Sequence, residues 1–188
     1  VWVEEFFNYW DMTASPMHVE LDEVDVKGFV DMMHSYGTKI GMQFGTMVCE
    51  IGPMDYTTPF IGNYTAEQVQ EWQTHVVELA TILQNNGFDA IELNMAANNV
   101  GQSFLSRARN NRTDQYDASC MENRTRWGCE LIKQIKAACG KDFVVQCLIN
   151  AVELNDFDLG NDGEFTRIEE TCEMAKYFEA AGADSIHL

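Results

Sequence analysis

Two carboxamides and a knot of charges are the residues whose types and spacing suit chemistry. Gln43 follows the apolar run Ile40-Gly41-Met42, and Asn94 follows Ala90-Ile91-Glu92-Leu93. A carboxamide carries both a donor and an acceptor, so either residue can meet a polar ligand. Each also has a plainer reading: a polar residue at a strand end often serves local structure, and Asn favours turns. Arg112, Asp114, Glu122 and Arg124 crowd a segment that runs from a loop into a helix. Opposite charges so close together read first as an ion-pair and hydrogen-bond lattice fixing a long loop, and second as direct catalytic groups.

Other chemistries are less favoured. The cysteines stand at 49, 120, 129, 139, 147 and 172, with no C-x-x-C pair. Zinc and iron–sulfur ligation are therefore not signalled, and reduced thiols in a cytoplasmic protein are expected. His18, His34, His75 and His187 show no H-x-x-x-H or H-x-x-H spacing and read as ordinary surface or core histidines. A formal charge of −18 disfavours nucleic acid and anionic lipid as partners. No apolar run approaches the ~18 residues of a membrane span.

The elements that must position these residues follow a repeated grammar. A helical stretch ends at Gly, a polar residue or two follow, and a short apolar run begins. This occurs at Gly37-Thr38-Lys39-Ile40, Gly87-Phe88-Asp89-Ala90-Ile91, Gly140-Lys141-Asp142-Phe143-Val144 and Gly182-Ala183-Asp184-Ser185-Ile186. Gly after a helix supplies the positive φ that closes it, and the apolar run reads as a buried parallel strand. Thr65-x-x-Gln68, Ser119-x-x-Glu122 and Thr166-x-x-Glu169 match the capping box that opens a helix. The predicted order is strand 1–5, helix 25–36, strand 39–45, helix 66–85, strand 89–94, helix 120–138, strand 143–149, helix 166–181 and strand 184–188. Alternating strands and amphipathic helices mean a parallel α/β sheet. No G-x-G-x-x-G follows a strand, which argues against the dinucleotide-binding open sheet. The expected fold is an incomplete (β/α)8 TIM barrel, about five parallel strands and four helices of a longer barrel.

Residues 104–126 closely resemble the signature of the Old Yellow Enzyme family, in which F-L-S leads to N-x-R-x-D-x-Y-G-G-S-x-E-N-R. The matching residues are Phe104, Leu105, Ser106, Asn110, Arg112, Asp114, Tyr116, Ser119, Glu122, Asn123 and Arg124. Gly87-Phe88-Asp89-Ala90-Ile91-Glu92-Leu93 is similar to the family's G-F-D-x-V-E-I strand, and Gly37 to Gln43 to its G-x-K-x-x-x-Q strand. The resemblance implies that residues 1–188 are part of one FMN-binding barrel domain whose N- and C-terminal strands lie outside this sequence.

It further implies an FMN-dependent ene-reductase, passing hydride from NADH or NADPH through flavin to an activated C=C bond of a small molecule. Activity is expected of a longer protein rather than of these residues alone. The alternative is a flavin- or ligand-binding barrel that has lost ene-reductase activity. A 4Fe-4S cluster is expected only with a further C-terminal part, and an oligomer is left open. By resemblance, Gln43 contacts the flavin pyrimidine edge and Asn94 anchors the substrate. The sequence departs from the family at four places. Asn94 and Ala97 replace the anchoring pair, with Asn98 a substitute if the loop shifts. Asn99 occupies the position of the usual Tyr acid, so the catalytic acid is unassigned. Leu148 takes the place of an Arg beside the flavin, with Gln146 as a neutral donor on the same face. Asp117-Ala118 replaces Gly-Gly.

Overall fold

The Gly-x-Asp steps in the sequence do more than turn the chain. In the computed structural model, which describes residues 2–4, 25–45, 61–96, 100–154 and 165–188, Asp89 and Asp184 pin neighbouring strands. Asp89 Oδ2 accepts the Ile40 amide at 2.9 Å, and Asp184 Oδ2 accepts the Val145 amide at 2.7 Å. Lys39 donates to the first carboxylate and Lys136 to the second, both at 2.6 Å. Each step thus closes a helix, starts a strand and fixes the register with the strand before it. Gly37, Gly87, Gly140 and Gly182 have φ of 74°, 91°, 82° and 110°, as the helix-end reading predicts.

The elements are β1 (Trp2–Glu4), α1 (Val26–Ser35), β2 (Gly41–Gly45), α2 (Ala66–Asn85), β3 (Ala90–Met95), α3 (Val100–Leu105), α4 (Met121–Cys139), β4 (Val144–Ile149), α5 (Ile168–Ala181) and β5 (Ser185–His187). A 3-10 turn occupies Ile61–Asn63. The predicted strands and four long helices are all present. The short α3 was not predicted: six residues, all buried, carry no amphipathic stripe to reveal a helix.

All five strands are parallel and lie in the order β1-β2-β3-β4-β5. A doubly wound sheet reverses its strand order at a switch point; strict sequential order is the winding of a (β/α)8 barrel. Alternation sorts the side chains. Met42, Phe44, Ile91, Leu93, Met95, Val145, Cys147 and Ile149 share the core with Val76, Leu79, Leu83, Leu131, Ile135 and Phe178 of the helices. The opposite face carries Gln43, Glu92, Asn94, Gln146 and Leu148, and corresponds to the barrel lumen. Gly128 lets α4 lie close on this layer, since a Cβ there would come within 2.8 Å of Phe178 and 3.0 Å of Met95 Sδ.

The capping boxes fare unequally. Thr65 and Gln68 form theirs reciprocally. Ser119 does not cap α4: its hydroxyl donates to Asp117 Oδ1 at 2.5 Å, and Cys120 is the N-cap. Asp117 Oδ1 also accepts the Ser119 amide and Asn123 Nδ2, both at 2.9 Å, so this carboxylate rebuilds the turn where the family carries Gly-Gly. At α5 the Arg167 amide donates to Glu170 at 3.0 Å, one residue beyond the predicted pair, because the Thr166 hydroxyl donates to Glu153 at 2.5 Å. Among the described residues, no helix is long and apolar enough to cross a membrane.

Candidate functional site

The charged signature folds as two lattices rather than one. Arg112 grips Asp114 with two parallel bonds, Nε–Oδ1 at 2.9 Å and Nη2–Oδ2 at 2.5 Å. Its Nη1 donates to the Ile61 and Tyr64 carbonyls at 2.6 and 2.8 Å. The guanidinium lies 6.0 Å from the Phe104 ring centre and 5.6 Å from that of Tyr116. These bonds hold the Asp114 carboxyl below the usual carboxylate range.

Arg124 pairs with Glu170 at 2.6 Å, not with Glu122, which instead meets Arg126 on the helix surface. Arg124 also donates to the Leu105 carbonyl at 2.6 Å and to Thr166 Oγ1 at 3.1 Å. Arg107 adds a second pair to Glu170. Glu153 accepts from Gln102 at 2.7 Å and from the Thr166 amide at 2.9 Å, which clips the segment after β4 to the start of α5. Both lattices therefore serve the loops that follow β3 and β4. Those loops carry the C-terminal mouth of the sheet, where barrels of this type place their sites.

Below that mouth, midway along β2, β3 and β4, the lumen face holds a row of polar side chains in register. Gln43 pairs with Glu92, Glu92 with Gln146, and Gln146 with Ser185 across four adjacent strands. Glu92 is 1% exposed. One carboxylate oxygen accepts from Gln43 Nε2; the other accepts from Gln146 Nε2 and meets His187 Nδ1 at 2.8 Å. Ser185 Oγ donates to Gln146 Oε1 at 2.7 Å. Burial alone would raise the Glu92 carboxyl, but the bonds from Gln146, Gln43 and His187 outweigh it and hold the group below its ordinary 4.5. A carboxylate with a lowered folded-state pKa contributes stability above its unfolded pKa and loses it as pH falls through the folded value. The wild-type unfolding temperature should therefore drop steeply below about pH 4.5, and that acid limb should be shallower in Glu92→Gln. Parallel limbs in the two proteins would refute the assignment of a charged lumen carboxylate.

Gln43 and Asn94 stand on the same face of adjacent strands, with Asn94 one lumen position beyond Glu92 and paired in register with Gly45. Gln43, expected at a strand end, instead stands at the middle of Gly41–Gly45, because the strand runs two residues past it alongside β3. Asn94 Oδ1 accepts the Ala96 amide at 3.0 Å, so the local turn read from the sequence does form. Leu148 faces the lumen in register with His187. Ala97, Asn98, Asn99, His18 and Cys49 lie outside the described residues. The sequence does not mark Glu92, Ser185 or His187 as site residues. Glu92 interrupts an apolar strand, Ile91-Glu92-Leu93, and a lone carboxylate there signals a lumen position. His187 lacked any sequence partner, because Glu92 is 95 residues away. A wide concavity of about 640 Å³ opens at the other end of the strands, near Lys39, Phe88, Asp89, Lys141 and Phe143, remote from this row.

Residues 57–176 match the model of the NADH:flavin oxidoreductase / NADH oxidase family. The chain is 30% identical over 181 residues to the cinnamate reductase of Clostridium sporogenes, covering 84% of this chain and 27% of that protein. It is 29% identical over 185 residues to the NADH oxidase of Thermoanaerobacter brockii, covering 89% of this chain and 27% of that one. The chain thus spans about a quarter of the length of these curated relatives. The fold is similar to that of Old Yellow Enzyme from Pichia sp. AKU4542, with a TM-score of 0.64 at 21% identity over 95% of this chain and 53% of the other.

Proposed function

Since this chain belongs to the NADH:flavin oxidoreductase / NADH oxidase family, we propose that the lumen row at Gln43, Glu92, Gln146 and His187 floors an FMN site. The observation that carries the reading is the row itself. Two carboxamides and an imidazole gather around one buried carboxylate on the lumen face of the sheet. Because Gln43 gives its NH2 to Glu92, the other end of its amide is a carbonyl acceptor, which suits the imide N–H of a flavin. FMN supplies the hydride chemistry, with NADH or NADPH as reductant; the protein supplies orientation, charge and exclusion of water.

On this reading the whole protein is a flavin oxidoreductase that delivers hydride to the activated C=C bond of a small molecule. Asn94 then faces the substrate, its side chain braced by the Ala96 amide. Asn99 is not a useful general acid, so the proton comes from water or another group. The full-length protein should carry flavin absorbance, and Gln43→Ala should weaken FMN binding about tenfold, the loss expected for one buried hydrogen bond. Flavin content equal to wild type in that variant removes Gln43 from the site.

A second reading keeps FMN and drops the reductase chemistry. It is favoured by Leu148, an apolar side chain facing the lumen at the place where the family resemblance leads one to expect a cation. Flavin-loaded protein that oxidises neither NADH nor NADPH with any enone supports this second reading.

A further inference from the structure

Glu92 imposes a choice on the side chains around it. A carboxylate offers acceptors only, whereas a carboxamide can turn either its NH2 or its carbonyl toward a neighbour. Lodged against Glu92, Gln43 and Gln146 must both turn their NH2 groups inward, and both do. The outward atoms are then fixed as carbonyl oxygens. That of Gln146 is taken by the Ser185 hydroxyl at 2.7 Å. No donor among the described residues reaches that of Gln43. His187 Nδ1 lies 2.8 Å from the same carboxylate, and Gln43, Glu92 and Gln146 sit in register on three adjacent strands. The arrangement is therefore built into the sheet rather than into a loop.

We propose that Glu92 is a positioning residue, which makes Gln43 an acceptor toward the ligand so that this position selects a ligand N–H. The assignment rests on the flavin reading above, in which the selected group is the imide N–H of FMN. Glu92 itself does not touch the ligand. Its effect passes through the amide of Gln43, and that route is what an experiment can isolate.

The test is a double-mutant cycle on the FMN dissociation constant of the full-length protein, with wild type, Gln43→Ala, Glu92→Gln and the double variant. Gln at 92 can accept or donate, so Gln43 loses its fixed orientation. Each single change should weaken FMN binding about tenfold, and the double variant should bind no more weakly than Gln43→Ala alone. Losses that multiply to about a hundredfold, or a Glu92→Gln protein that binds as wild type does, overturn the assignment.

A second measurement leaves position 92 untouched and covers the case in which Glu92→Gln does not fold. With FMN labelled with 15N at the imide nitrogen, the imide proton should exchange with water about tenfold more slowly in wild type than in Gln43→Ala. Equal exchange overturns the assignment. A wild-type protein that binds no FMN overturns the flavin reading and this assignment together. Either negative result obtained with FMN bound overturns the assignment alone.

Discussion

Arg124→Ala should lower the stability of the protein by about 3–5 kcal/mol, the range for breaking a buried ion pair by removing one partner. The Arg124 side chain is 3% exposed, and its guanidinium serves three groups at once. Burial and the nearby Arg107 pull it down to about 10, so it stays charged at neutral pH. Removing it leaves the Leu105 carbonyl short of a donor, and leaves Glu170 with Arg107 as its remaining arginine. A buried acceptor without its partner costs about 1–3 kcal/mol, in addition to the lost pair. The control is Arg126→Ala. Its pair with Glu122 joins positions i and i+4 on the helix surface and should contribute about 0.5 kcal/mol or less. Urea unfolding followed by circular dichroism measures both. Equal midpoint shifts in the two variants would sink the distinction between lattice and surface pair.

Arg112→Ala should cost a similar ~3–5 kcal/mol, for a different structural reason. This side chain, also 3% exposed, ties the loop before α4 to the turn at Ile61–Asn63 through the Ile61 and Tyr64 carbonyls. It also stands near the aromatic pair of Phe104 and Tyr116, whose rings meet edge to face at 6.0 Å. Arg112→Lys should recover little, because an ammonium cannot hold Asp114 by two parallel bonds and reach two carbonyls as well. Hydrogen exchange supplies the local readout. The Tyr64 amide, bonded to the Ile61 carbonyl, should lose protection in Arg112→Ala more than the amides of β4 do. Uniform loss across the sheet would mean that Arg112 supports the whole fold and not this junction.

These two variants separate what the long signature does from what the lumen row does. The signature residues lie in the loops and helices around the mouth, and their bonds go to backbone carbonyls, to one another and to Thr166 and Glu170 at the start of α5. The lumen residues stand on the strands. Stability should therefore respond most to positions 112 and 124, and flavin affinity to positions 43 and 92.

Much of the fold was legible because local rules and global winding agree here. The Gly steps close helices, the apolar runs make buried strands, and periodic Val69, Val76, Leu79 and Leu83 mark the buried face of α2. The places where the reading slipped have identifiable competitors. Ser119 and Thr166 were each drawn away from a cap by a carboxylate close in space: Asp117 two residues back for Ser119, and Glu153 across a loop for Thr166. The helix Val100–Leu105 is buried all round and so has no polar face to set its period.

By itself, the sequence determined the parallel α/β winding, the placement of Gln43 and Asn94 on neighbouring strands, and the family through its long charged signature. Those features are written in short-range patterns, in helix ends, two-residue alternation and fixed motif spacing, which act over a few residues of chain. Only the tertiary structure decided that Glu92 and His187 meet, that Gln43 turns its amide toward that carboxylate, and that Arg124 pairs with Glu170 instead of Glu122. Those choices depend on which strands and helices become neighbours and in what register. Residues 46 to 95 positions apart are brought within hydrogen-bonding distance by that packing and by no local rule.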